Sequence, residues 1–154
     1  ENALWQVNYQ VPIRLMKQVA ERNRKISLVQ LSSLAALCPH PYLAAYSASK
    51  AALQTYCLAL QEELRLKCSE VKVCLYILGP VQTSIFPPEL QDALGGSQLQ
   101  MSPEIAARRI IRLLQQGRSY AIVGKRYRLL AWLMKLLPQR WIICLIGVYL
   151  RKGL

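Results

Sequence analysis

Tyr46 and Lys50, in the run Tyr46-Ser47-Ala48-Ser49-Lys50, are the pair of residues in this sequence best suited to moving a proton. On a helix, side chains at i and i+4 share a face. A tyrosine hydroxyl ordinarily has a pKa of about 10, too high for efficient acid–base work near neutrality. A neighbouring ammonium stabilises the phenolate and lowers that value. The pair is therefore expected to exchange a proton with an oxygen, with Lys50 tuning Tyr46. Ser33 stands thirteen residues before Tyr46, at the end of the β-rich run ISLVQLS over residues 26–32. A hydroxyl there can enter the crevice at the carboxyl end of a strand, where open α/β sheets take their ligands.

Other chemistries find little support. His40 is the only histidine and lies between two prolines, which reads as a loop residue and leaves zinc or Ser-His-Asp chemistry without its parts. The cysteines are five, an odd number, with no C-x-x-C pair. That argues against a metal site or a disulfide framework and suits a reducing, cytoplasmic setting.

The elements that must position these residues follow from hydrophobic spacing. Leu4, Val7, Val11, Leu15 and Val19 recur at helical spacing within residues 3–22. Residues 26–32 read as a buried strand, 45–67 as a long helix of good helix formers, and 71–77 (VKVCLYI) as a second strand ended by Gly79-Pro80. Residues 84–101 read as a long irregular loop. Ser102-Pro103-Glu104 announces a helix, with Ser as N-cap, Pro at the first helical position and an acid in the first turn. That helix runs to about Gln116 with Gly117 beyond it, and residues 119–123 form a third strand. Strands alternating with helices predict an α/β fold with a doubly wound parallel sheet. Three strands make only a partial sheet of this kind. The amphipathic pattern is already under way at residue 1, so a fragment boundary is expected there.

The run LSSLAALCPHPYLAAYSASKAAL, followed by VKVCLYILGPVQT, resembles the core of the short-chain dehydrogenase/reductase family, over roughly residues 1–124. The resemblance implies a Rossmann-like domain whose N-terminal nucleotide-binding half is absent from this sequence, since Gly79, Gly95, Gly96 and Gly117 are badly spaced for a phosphate loop. It implies hydride transfer between NADP or NAD and a carbonyl/alcohol pair. Tyr46 is then the proton donor or acceptor, Ser33 orients the reacting oxygen, and Lys50 tunes Tyr46 and holds the nicotinamide ribose. Asn8, in QVNYQ, matches the family asparagine that anchors a proton-relaying water. In the turn Leu78-Gly79-Pro80-Val81-Gln82-Thr83, Gly79 and Pro80 shape the cofactor contact. The Val81 backbone faces the nicotinamide carboxamide, and the Thr83 hydroxyl faces carboxamide or phosphate. Leu78 stands where the family has a proline, and Ala36 where it usually has a glycine. A catalytically silent protein that keeps the fold is the rival reading, and the intact Ser33, Tyr46 and Lys50 weigh against it.

The charge is unevenly placed. The net charge is +12, all eight acids lie at or before Glu104, and eleven Lys or Arg follow it. Residues 125–154 form a basic apolar tail, expected to be helical. Its unbroken apolar run, Trp141 to Leu150, is ten residues long, too short to span a bilayer of about 30 Å. Tryptophans and cations beside apolar residues suit an interfacial helix on an anionic membrane surface. The tail equally suits a helix that closes the substrate pocket or pairs with a second subunit in a homo-oligomer. No motif supports nucleic acid as a partner. An apolar substrate is expected from the loop 84–101 and the tail.

Overall fold

The computed structural model of the protein describes residues 1–22, 24–83 and 100–151. In chain order the elements are α1 (Asn2–Trp5), a π-helical turn (Gln6–Gln10), α2 (Val11–Ala20), β1 (Ser27–Ser33), a 3-10 turn (Leu34–Ala36), α3 (Ala44–Leu66), β2 (Lys72–Leu78), α4 (Pro103–Gln115), β3 (Tyr120–Val123), α5 (Lys125–Leu136) and α6 (Gln139–Arg151). The expected loop over 84–101 lies outside the described residues except at Gln100 and Met101.

Among the described residues the sheet is parallel, in the order β1-β2-β3. Ser33 is level with Leu78, and Leu78 with Val123, so the carboxyl ends of the strands finish together. The fold is α/β and Rossmann-like. The β2 residues Val73, Cys74, Leu75, Tyr76 and Ile77 are all buried, the unbroken apolar run of a strand covered on both faces. Val73 and Leu75 pack with Ile13 and Met16 of α2 and with Leu53, Cys57 and Leu60 of α3. Cys74 and Tyr76, pointing the other way, pack with Ala106 and Ile110 of α4 and Val123 of β3. Each large apolar side chain so buried contributes about 1.5–3 kcal/mol.

Local chemistry sets the ends of the helices. The Ser102 hydroxyl accepts a hydrogen bond from the Ile105 amide, Pro103 opens α4, and Glu104 lies in its first turn. At the other end Gly117, at φ 70°, donates to Leu114 O while Arg118 donates to Leu113 O, a Schellman stop that glycine adopts without strain.

The first helical stretch differs from expectation. Its periodic residues Val7, Val11 and Leu15 are exposed, and the inward face is built on Ile13 and Met16, with Tyr9 and Val19 partly buried beside them. The segment carries apolar residues on two opposite faces, and spacing alone does not say which one meets the sheet.

Candidate active site

The carboxyl ends of β1 and β2 open into a cavity of about 880 Å³. Ser33, Tyr46 and Lys50 line it from the β1 and α3 side, and Gly79, Pro80, Val81 and Thr83 line it from the turn after β2. Sequence reasoning nominated all of these, and the fold brings them to one place. Asn8 is the exception, since it does not line the cavity.

Ser33 ends β1 in an extended conformation and caps the 3-10 turn, its Oγ accepting from the Ala35 amide at 3.2 Å. The same side chain is hydrogen-bonded to Tyr46. Its neighbour Ser32 points into the protein and donates to the Lys50 carbonyl at 3.3 Å, tying β1 to α3. Lys50 Nζ donates to the Leu31 carbonyl at 3.3 Å and lies 5.8 Å from the centroid of the Tyr46 ring. Two strand residues thus fix the lysine from either end, through its backbone and its ammonium.

Burial governs the electrostatics at both Tyr46 and Lys50. Burial is the largest influence on the Tyr46 hydroxyl and raises its pKa, while the Ser33 hydrogen bond lowers it. Burial also lowers the pKa of Lys50. Burial is the dominant cause because taking a phenolate out of water penalises the charged form, and Lys50 is not among the causes of the Tyr46 shift.

Asn8 sits in the π-helical turn. Its Nδ2 donates to Ser49 Oγ at 3.4 Å, and Ser49 Oγ donates to the Tyr46 carbonyl at 2.8 Å. Asn8 therefore reaches the Tyr46 backbone through Ser49, a completely buried residue, and its side-chain amide donates to Ser49 and not to Lys50. Turns of this π type recur inside helices at functional sites.

Across the cavity, Val81 and Met101 form an isolated parallel bridge. Its hydrogen bonds run from the Met101 amide to the Pro80 carbonyl at 2.9 Å and from the Gln82 amide to the Met101 carbonyl at 3.0 Å. Val81's own amide stands outside that pair. The Thr83 hydroxyl lies 3.5 Å from the Val81 carbonyl.

Other cavity residues were not singled out individually in the sequence, although the tail was read as one that could close the pocket. His40, read as a loop residue, lines the cavity. Its amide donates to Ser47 Oγ at 3.2 Å and its Nδ1 is 2.8 Å from the Cys38 carbonyl. Burial lowers its pKa, with the Cys38 contact acting the other way. Leu130, Leu133 and Met134 of α5 and Ile142, Ile146 and Tyr149 of α6 supply much of the apolar wall. This agrees with the reading of the tail as a helix that closes the substrate pocket, one of the alternatives its helical apolar spacing offered. Among the described residues, no cluster of three or more His, Cys, Asp or Glu side chains could hold a metal ion.

An oxygen-bearing substrate carbon in this cavity would meet a hydroxyl pair, Ser33 and Tyr46, beside an ammonium, with apolar walls around it. The chain itself is similar to known proteins. The family model for short chain dehydrogenases matches residues 2–93, and the chain belongs to that family. A hydroxysteroid 11-beta-dehydrogenase 1-like protein of Xenopus tropicalis is 37% identical over 70 residues, 46% of this chain and 24% of that protein. A short chain dehydrogenase from Burkholderia cenocepacia J2315, solved in complex with NADP, shares the fold at a TM-score of 0.68 and 20% identity, over 85% of this chain and 52% of that one. Another from Burkholderia phymatum, in complex with NAD, gives 0.58 at 18% identity, over 75% of this chain and 49% of that one. The chain spans about half the length of these two solved structures.

Proposed function

We propose that this chain is the catalytic half of an NAD(P)-dependent oxidoreductase that interconverts a carbonyl and an alcohol on an apolar substrate. The observation that carries the reading is the Ser33–Tyr46 hydrogen bond, with Lys50 beside the Tyr46 ring, at the carboxyl ends of two parallel strands. In the reducing direction Tyr46 gives its hydroxyl proton to the substrate oxygen, and in the oxidising direction the phenolate takes that proton back. Ser33 donates to the same oxygen and stabilises the charge that develops on it. Asn8 acts at one remove, through Ser49, and helps to fix the Tyr46 backbone.

The residues present fit the nicotinamide end of the cofactor. Lys50 reaches the cavity as an ammonium donor for ribose hydroxyls, and the Val81 amide stands outside its local bridge. Gly79, Pro80 and Thr83 complete that wall. A bound NADP or NAD would supply or accept the hydride. Apolar walls from α5 and α6 favour an apolar substrate.

Tyr46→Phe in the full-length protein tests the reading, because it removes the proton and little else. A positioned acid–base group contributes about 10²- to 10⁴-fold, so turnover should fall by about that factor while the fold persists. Undiminished turnover in the variant would remove Tyr46 from the proton transfer and overturn the assignment.

The tail extends the proposal to a surface. Besides walling the cavity, α5 and α6 expose Leu129, Trp132, Leu136, Trp141 and Val148. Lys125, Arg126, Arg128, Lys135, Arg140 and Arg151 lie along them with no acid between. We infer that this face rests on an anionic membrane, a role that calls for no spanning helix. Among the described residues, no helix is long and apolar enough to cross a bilayer.

A further inference from the structure

Glycine is required at position 79 for a reason that lies elsewhere in the chain. Its backbone is not in the left-handed region, where Gly117 and Gly124 are found among the described glycines. A Cβ added there would instead overlap the ring of Tyr127. Tyr127 belongs to the first turn of α5, nearly fifty residues on in sequence. Its hydroxyl donates to the Pro80 carbonyl at 3.3 Å, the same carbonyl that accepts from the Met101 amide at 2.9 Å. Its ring also packs into the clusters on both sides, with Met101 and Val123 in one and with Ile77 and Ala131 in the other. The start of α5 is in turn fitted closely around that ring. A Cβ on Gly124 would lie 3.0 Å from Tyr127 Cδ2.

We propose that Tyr127 is a positioning residue for the cofactor turn, clamping Gly79-Pro80-Val81 by ring packing on Gly79 and a hydrogen bond to the Pro80 carbonyl. The inference rests on the reading of that turn as the nicotinamide wall. The Val81 amide can meet a carboxamide only where the turn holds it, and a misplacement of about 1 Å at such a site can cost about 10²-fold. Met101 pins the Pro80 carbonyl from one direction and Tyr127 from another. Helix α5 therefore sets cofactor affinity as well as walling the substrate cavity.

The test uses the full-length protein. Tyr127→Phe keeps the ring and removes only the hydroxyl. Losing one neutral hydrogen bond should raise KM and Kd for NAD(P) about fivefold, with kcat at saturating cofactor changed less than about twofold. Gly79→Ala should weaken cofactor binding in the parent, and the penalty should largely vanish in a Tyr127→Ala background, where the added methyl has room. Unchanged cofactor KM in Tyr127→Phe, with or without a lower Tm, would overturn the clamp. So would a Gly79→Ala penalty that is the same with and without the ring. The reading beneath is separable: if Tyr46→Phe abolishes turnover and Tyr127→Phe leaves cofactor KM alone, the oxidoreductase stands and only the clamp falls.

Discussion

Tyr46 sits between two opposed influences, and their balance gives a pH dependence. Burial holds the hydroxyl above its ordinary value, and the Ser33 hydrogen bond draws it down. A raised pKa keeps the neutral phenol populated across the neutral range. Carbonyl reduction, which consumes that proton, should therefore be flat through neutrality and decline only on the alkaline side. Alcohol oxidation needs the phenolate and should climb with pH, about tenfold per unit while Tyr46 remains mostly protonated. Ser33→Ala removes the lowering contact, so the oxidation profile should move to higher pH as well as losing amplitude. An oxidation rate independent of pH from neutrality upward would exclude Tyr46 as its base. The positions of these residues were legible because Ser33, Tyr46 and Lys50 belong to one continuous strand–loop–helix segment. Their environment was not. Lys50 read as the dominant influence on Tyr46, whereas desolvation depends on what the rest of the chain lays over the ring. Asn8 was legible as a residue, but its link through Ser49 was not, because the π-helical turn that presents it leaves no mark in the spacing.

At the scale of elements, the helix signals that work locally were sound. Ser102-Pro103-Glu104 starts α4 with the hydrogen bond its residue types allow, and Gly117 stops it. Faces were harder to assign, as Val7, Val11 and Leu15 demonstrate by standing outside the core. The tail helices show the same difficulty with a functional consequence. One side of α5 and α6 lines the cavity, yet Trp132 is 56% and Trp141 64% exposed. Aromatic side chains of this kind settle at headgroup depth, and each nearby base contributes about 1 kcal/mol toward an anionic surface, fading within a Debye length. Full-length protein should cosediment with phosphatidylserine-containing vesicles and lose that binding as salt rises. Replacing Trp132 and Trp141 by Ser should weaken it without disturbing the cavity-facing residues. Binding equal on neutral and anionic vesicles, or indifferent to salt, would count decisively against an electrostatic membrane face.

For the molecule as a whole, the described sheet explains both what these residues can do and what they are expected to lack. The glycines at 79, 95, 96 and 117 do not make a phosphate-cradling turn. Residues 1–154 on their own should consequently bind NADP or NAD only weakly. Calorimetry that found micromolar affinity for this segment alone would overturn that expectation. The cavity itself was the least legible feature, because its walls join residues around 33, 80 and 130 that only the completed packing brings together. Its location nevertheless has a topological cause. The helix that follows β1, α3, packs on one face of the sheet, and the helix that follows β2, α4, packs on the other. Both connections step the same way across the sheet, so the two crossovers must have opposite hands, and one of them departs from the right-handed rule obeyed by about 98% of such units. The departure has a use: α3 and α4 cover opposite faces of the sheet, and the cavity opens beside the neighbouring carboxyl ends of β1 and β2, the end at which open α/β sheets bind ligands. Ser33 ends the strand that leads to α3 and Gly79 follows the strand that leads to α4, so a connection of the uncommon hand sets the two walls of the crevice on opposite faces.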